Sequence, residues 1–264
     1  DGFMYVTDGW GSIYKFDATK NGKLVWKMNP DTDKDFPGAV TCCGINNRGV
    51  ALIDNKVVSQ TLDGRLIVTN KESGEIEQEV QLADASIAEV ITAAPLVVKS
   101  SAITGVAGAE YGIRGWLHST NLADGSKNWR TYTIPAPDEP GGDTWKQGPE
   151  AHSKDAWMHG GGSTWVVGSY DPDLDVIYWG VGNPGPDWDN EYRPGDNLYS
   201  NSVLALDADS GKIKWYFQYT PNDPYDFDGV NEQTLVDAKI FGKKTKAVLH
   251  ACLLYTSPSP RDAT

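Results

Sequence analysis

An all-β fold is predicted, and three observations carry the prediction. The chain is rich in Gly (28), Tyr (12) and Trp (10), while long amphipathic helix patterns are scarce, a balance that suits short strands joined by many turns. Four segments look alike, each reading as strand, glycine-containing polar turn, strand. Their turn glycines, Gly22, Gly74, Gly125 and Gly211, are 52, 51 and 86 residues apart. The first two intervals fit one four-stranded propeller blade per repeat. An irregular β-sandwich is the alternative, and the recurrence of Gly–x3–Trp speaks against it.

In chain order the repeats are "YKFDATKNGKLVWKM" (14–28), "IVTNKESGEIEQEV" (67–80), "LHSTNLADGSKNWRTY" (117–132) and "LALDADSGKIKWYFQ" (204–218). Glycine supplies the positive φ that such tight turns need. Four residues after it stand Trp26, Gln78, Trp129 and Trp215. A large ring at that fixed offset can dock one repeat against the next. The long third interval holds "PAPDEPGGDTWKQGPEAHSKDAWMHGGGSTW", Pro/Gly-rich and unsuited to regular sheet. A long loop of that kind on a propeller is usually functional. "TKAVLHA" (245–251) reads as a strand heading into another hairpin. Residues 252–264 are Ser/Pro-rich and break the pattern. They read as a non-native tail after a propeller portion spanning 1–251. The opening "DGFMYVTDG" already reads as strand and turn, so the true N-terminus is expected to lie upstream.

Charge narrows the function. The 264 residues carry 23 Lys+Arg against 36 Asp+Glu, a net charge of −13. That excludes a simple polyanion binder and so nucleic acid, and it disfavours anionic lipid surfaces. No apolar run reaches the length of a membrane helix.

The chemistry-bearing stretches follow in order. Cys42 and Cys43 are adjacent. Bonded to each other they close a small strained ring, of a kind that persists where surrounding structure enforces it. The alternative is two reduced thiols, one buried and one exposed. Arg48 offers a planar fork for a carboxylate or quinone oxygen, or is a surface residue. In "GVAGAEYGIRG" (105–115) small residues surround Glu110. Gly and Ala let a ligand approach the backbone, and the acid is a hard-cation ligand, an ion-pair member or a solvated loop carboxylate. Trp165 after "GGGST" is a platform for a planar cofactor or a core residue. Asn183 ends a strand before Pro184, Gly185 and Pro186, as a hard-metal ligand or as a turn former. Asp226 and Asp228, if extended, share one strand face. They then repel unless a cation or proton lies between them; an acidic turn is the alternative. The four histidines do not cluster, and no Ser/His/Asp order or zinc spacing stands out.

Taken together, the order and spacing of these pieces resemble the pyrroloquinoline quinone (PQQ) dependent alcohol dehydrogenases of the methanol/ethanol family, over residues 1–251. The resemblance implies an eight-bladed β-propeller of which this chain is about half. It implies a Cys42–Cys43 disulfide as a flat lid on one face of PQQ and Trp165 stacked on the other. It implies quinone-oxygen contacts from Arg48, a PQQ-carboxylate hydroxyl from Thr92 and close backbone approach at Gly108 and Ala109. Glu110, Asn183, Asp226 and Asp228 match metal ligands, and Asp226 also matches the catalytic general base. Asp228 matches the extra aspartate of lanthanide-using members, so a lanthanide is favoured, with calcium the alternative. The activity implied is oxidation of a small primary alcohol to an aldehyde. A periplasmic location, a cytochrome c electron acceptor and a homodimer of the full-length form go with it.

Three departures qualify the match. Ala107 stands where many members have a serine that bonds PQQ. The family's N-terminal acidic PQQ contact is absent, and so is its basic residue after "LHA". The chain alone is therefore expected not to hold PQQ stably. Two other readings remain open here. One is a non-catalytic PQQ-like-repeat propeller that scaffolds outer-membrane assembly. The other is a sugar-oxidising relative, against which the adjacent cysteines argue.

Overall fold

The protein is described here from a computed structural model covering residues 2–35, 37–146, 148 and 151–252. Its strands are β1 (Phe3–Thr7), β2 (Ile13–Asp17), β3 (Lys23–Met28), β4 (Ala51–Ile53), β5 (Lys56–Gln60), β6 (Arg65–Asn70), β7 (Ile76–Gln81), β8 (Leu96–Val98) and β9 (Ser101–Gly105). They continue with β10 (Trp116–Asn121), β11 (Lys127–Tyr132), β12 (Ser169–Asp171), β13 (Val176–Gly180), β14 (Ser202–Asp207), β15 (Ile213–Gln218), β16 (Thr234–Ile240) and β17 (Lys243–Leu249). They form five antiparallel sheets in sequence order: β1-β2-β3, β4-β5-β6-β7, β8-β9-β10-β11, β12-β13-β14-β15 and β16-β17. This is the expected all-β blade architecture. Near the end, β17 pairs back onto β16 in a hairpin; the further hairpin that "TKAVLHA" leads into lies outside the described residues.

Why the central strands are continuously apolar follows from where their two faces go. Side chains alternate along a strand. In β6, Ile67 faces the first sheet, packing with Val57 on Ile13 and Met28. Its neighbours Leu66 and Val68 face the third sheet, packing with Ala102, Val106 and Trp116. In β13, Ile177 and Trp179 face the third sheet with Ile103, Leu117 and Trp129. Val176 and Tyr178 face the last hairpin with Leu235 and Val248. A strand sandwiched between two sheets has no polar face to show, so the hydrophobic alternation disappears.

The four repeats are the outer hairpins β2–β3, β6–β7, β10–β11 and β14–β15. Gly22, Gly74, Gly125 and Gly211 take φ of 68°, 78°, 77° and 68°. Trp26, Gln78, Trp129 and Trp215 pair with Lys15, Val68, Ser119 and Ala205, and in every hairpin the register shifts directly after that partner. Such a bulge bends the strand and re-aims its side chains. The side chains then reach the next sheet. A Cβ on Gly74 would meet the Trp26 ring, one on Gly125 the Gln78 side chain, and one on Gly211 the Trp129 ring. The indole N–H of Trp26 donates to the Lys71 carbonyl and that of Trp129 to the Ala208 carbonyl, both at 3.2 Å.

Antiparallel strands in sequence order alternate in direction. The glycine turns therefore lie at one end of every sheet. The loops between second and third strands, and the links from one sheet to the next, lie at the other. Every candidate site residue falls in a loop of this second end. The long Pro/Gly-rich segment links β11 to β12, and among the described residues it forms 3-10 turns at Gly142–Thr144 and Ala151–His159. The sheets end at Leu249, inside the span 1–251. Of the tail 252–264 only Cys252, which is buried, lies among the described residues.

Candidate functional site

A cavity of about 230 Å³ opens at the loop end. Of the sequence-predicted site residues, Cys42, Cys43, Arg48, Thr92, Gly108, Glu110, Trp165, Asp226 and Asp228 line it. Ala109 and Asn183 do not line it but lie directly behind its wall. The Ala109 N–H donates to Ser163 Oγ at 3.0 Å, and the Asn183 N–H donates to Asp228 Oδ1 at 3.0 Å; both acceptors line the cavity.

Cys42 and Cys43 are disulfide-bonded to each other, which decides between the two readings of the pair. Cys43 takes φ 66° and Asp226 φ 63°, a left-handed conformation that is costly for residues with a side chain. Backbone held there against its preference clusters at ligand sites. The condition under which Asp226 and Asp228 would share a strand face is not met, since residues 226–230 form no strand, yet both line the cavity. The two aspartates meet in the cavity because a left-handed turn brings them there, not because of strand alternation.

Arg48 is anchored through its backbone, whose N–H donates to the Thr92 carbonyl at 3.1 Å. Its guanidinium donates to Asn46 Oδ1 at 2.7 Å and lies 4.8 Å from the Trp165 ring centre. It forms no ion pair among the described residues, and desolvation pulls its pKa down. Trp165 is set by its neighbour. Thr164 Oγ1 accepts from the Val106 N–H at 2.9 Å and donates to the Trp116 carbonyl at 2.8 Å. Gly108 follows on the same wall with φ 126°, and a Cβ there would run into the Ala88 carbonyl oxygen. Only glycine fits a backbone this close to both its neighbour and the cavity.

Opposing charge fills the other side. Glu110 lies in the short turn Ala109–Tyr111, and partial desolvation raises its pKa. Burial, then the charges of Asp187 and Glu110, raise Asp226 to about 6. Burial, then Asp226, raise Asp228 to about 7, against the lowering effect of the Asn183 N–H. Among the described residues no three His, Cys, Asp or Glu side chains close into a metal cage. The three carboxylates instead share one cavity as oxygen donors that repel each other. That donor set suits a hard cation.

Sequence reasoning missed Thr41, Asn46, Val90 and Ser163 in the wall, and it missed Asp187, whose charge acts on Glu110, Asp226 and Asp228. Ser163 lay in the "GGGSTW" run, and Asp187 lay directly behind the Pro–Gly–Pro turn. The remaining wall residues carry no signal beyond their neighbours.

Residues 1–252 match the family described as "PQQ: Glucose/ethanol/alcohol dehydrogenase, beta-propeller domain". The chain is 40% identical over 260 residues to the quinoprotein alcohol dehydrogenase PedH of Pseudomonas putida, covering 95% of this chain and 43% of the relative. It is 37% identical over 259 residues to the lanthanide-dependent methanol dehydrogenase of Methylorubrum extorquens, covering 94% and 43%. Among solved structures, a europium-containing methanol dehydrogenase superposes with a TM-score of 0.88 at 34% identity, over 96% of this chain and 46% of that one. The chain thus spans less than half the length of each.

Proposed function

The chain belongs to the PQQ-dependent glucose/ethanol/alcohol dehydrogenase β-propeller family, and we propose that it forms the cofactor and metal half of an enzyme oxidising small primary alcohols to aldehydes. The observation that carries this reading is the cavity itself. It is lined together by the Cys42–Cys43 disulfide, the Trp165 indole, the Arg48 guanidinium, which has no ion pair among the described residues, and the carboxylates of Glu110, Asp226 and Asp228.

The residues present fit both groups the family implies. A planar ring of the size that Trp165 and the Cys42–Cys43 pair can flank would take the indole face that Arg48 now covers. Arg48 is then free to donate to the ring's oxygens. The Thr92 hydroxyl and the backbone at Gly108 and Ala109 hold the rim of such a ring. Glu110, Asn183, Asp226 and Asp228 would hold the metal. When bound, PQQ supplies a quinone that accepts hydride, and the metal supplies Lewis acidity.

What this chain's own atoms do is position and take a proton. Asp226, with a carboxyl pKa near 6 in the cation-free cavity, accepts the hydroxyl proton of the alcohol as general base. Fixing the cofactor between two flat walls supplies the orientation that the transfer needs. A trivalent ion gains more than a divalent one from each added carboxylate, because the Coulomb energy scales with the charge product. Asp228 therefore favours a lanthanide over calcium. A cytochrome c electron acceptor and a periplasmic setting, where the Cys42–Cys43 bond stays oxidised, complete the reading.

The test uses a full-length polypeptide carrying these residues, with PQQ added and lanthanum or calcium titrated, reading dye-linked ethanol oxidation. Lanthanum-dependent activity that Asp228→Ala abolishes or shifts to calcium is the expected result. Calcium-supported activity indifferent to Asp228 overturns the lanthanide assignment. Glucose oxidised in preference to ethanol selects the sugar-oxidising relative. No PQQ binding with either metal selects the scaffold reading, which has no use for this cavity.

A further inference from the structure

Asp187 stands just beyond the Pro184–Gly185–Pro186 turn, half-buried. Its Oδ1 accepts a hydrogen bond of 2.7 Å from Asn183 Nδ2. Among the described residues its carboxylate forms no salt bridge; burial raises its pKa against the lowering effects of the Asn183 hydrogen bond and the Arg193 charge, with no hydrogen bond between the Asp187 and Arg193 side chains. The nearby Arg193 guanidinium spends its donors on the carbonyls of Pro186, Asp187 and Asp223 and on Asn197 Oδ1.

This hydrogen bond fixes more than a contact. A carboxylate can only accept, so the Asn183 amide must turn its nitrogen toward Asp187 and its oxygen away. The same nitrogen makes a second, longer bond of 3.4 Å to the Pro184 carbonyl, which holds the amide in the same orientation, so the short bond to Asp187 is the stronger of two locks. Asn183 is itself buried, and its backbone N–H already grips Asp228 Oδ1 at 3.0 Å. Its amide oxygen takes no hydrogen bond from any described residue. The same residue therefore ties one cavity carboxylate through its backbone and keeps an uncommitted oxygen through its side chain.

We infer that Asp187 is a positioning residue of the cation site: it locks the Asn183 amide with its oxygen as the free donor beside Glu110, Asp226 and Asp228. This rests on the cation site proposed above. It adds a fourth carboxylate that acts through Asn183 rather than by touching the ion. Partners that orient metal ligands in this way are worth about 10- to 100-fold in metal affinity when removed.

The experiment titrates europium(III) alone into this chain, reading luminescence intensity and its lifetime in H2O and D2O, which counts the waters on the ion. The variants are Asp187→Ala, Asp187→Asn, Asn183→Ala, Asn183→Ala/Asp187→Ala and Asp228→Ala. Asp187→Ala is expected to weaken binding about 10- to 100-fold and to add about one water to the ion. Asp187→Asn is expected to fall between it and the parent. In the Asn183→Ala background, Asp187→Ala should change affinity by no more than about twofold, because residues acting through one another are not additive. Parent-like affinity and hydration for Asp187→Ala, with binding still lost in Asp228→Ala, overturns the positioning role and leaves the cation site standing. An undiminished Asp187→Ala effect in the Asn183→Ala background overturns it too, since the charge then acts without Asn183. Failure of the parent chain to bind europium removes the cation site and this inference together.

Discussion

At the scale of single residues, the cavity is a set of charges held at distances where each alters the next. Asp226 and Asp228 are raised to about 6 and about 7 from the ordinary 3.8, with burial the main cause in both; the second cause is the charge of Asp187 for Asp226 and that of Asp226 for Asp228. A carboxyl whose pKa is higher in the folded chain than in the unfolded one stabilises the fold fully below the unfolded value. It loses that contribution as pH rises through the folded value. The cation-free chain should therefore lose thermal stability as pH rises from about 4 to about 7. Asp226→Asn and Asp228→Asn should flatten that part of a Tm-against-pH curve, and curves unchanged by either variant would show that these groups are not raised. A cation reverses the balance, because it binds only the ionised forms. Its affinity should climb over the same pH interval with net proton release on binding, up to about two protons near pH 5 and almost none near pH 8. Calorimetry in buffers of different ionisation heat measures this directly, and pH-independent affinity with no proton release would contradict it.

At the scale of elements, the repeating unit is a hairpin whose bulge aims one large side chain at the turn glycine of the next sheet. Trp129 is 7% exposed, filling the space over Gly211, whereas Trp215 is 45% exposed and packs over no turn glycine among the described residues. Trp129→Ala should destabilise the chain by about 3–5 kcal/mol, as truncation of a buried aromatic does. Trp215→Ala should cost a small fraction of that, and equal shifts in urea midpoint for the two would refute the docking role. This device was legible in the sequence because Gly–x3–Trp has a fixed spacing and a steric cause. So were the vicinal cysteines, Arg48, Glu110 and Trp165, each an unusual residue in an unusual setting. The meeting of Asp226 with Asp228 was read on a condition, an extended strand, that is not met; a left-handed φ at an aspartate leaves no mark in the sequence. Asn46 was illegible because its place depends on loops from different sheets converging, which single-chain spacing cannot express; Ser163 and Asp187 were marked only by their places in the "GGGSTW" run and directly behind the Pro–Gly–Pro turn. Gln78 is the instructive exception within the repeat. It occupies the tryptophan position over Gly125, while the Leu122 carbonyl, equivalent to the indole acceptors elsewhere, is taken by Lys56 Nζ at 2.8 Å.

At the scale of the whole molecule, the first and last sheets hold fewer strands than the others among the described residues, three and two against four in each of the sheets between. A Cβ on Gly22, the turn glycine of the first repeat, would meet nothing within 4 Å. Trp26 fills that role for Gly74, so Gly22 is a socket without its ring. Met4, Val6, Leu24 and Val25 are exposed on the same sheet. The cavity walls come from loops of successive sheets, and the chain spans less than half the length of the relatives it matches. A cofactor held by half its contacts loses affinity steeply, because the entropic cost of binding is nearly the same however few contacts offset it. The chain of 264 residues should therefore take up PQQ in rapid exchange and release it on gel filtration, with or without europium. A full-length polypeptide carrying the same residues should retain it. Stoichiometric PQQ remaining on the short chain after filtration would mean that the disulfide, Trp165 and Arg48 alone supply the affinity, and that the missing blades serve stability rather than cofactor binding.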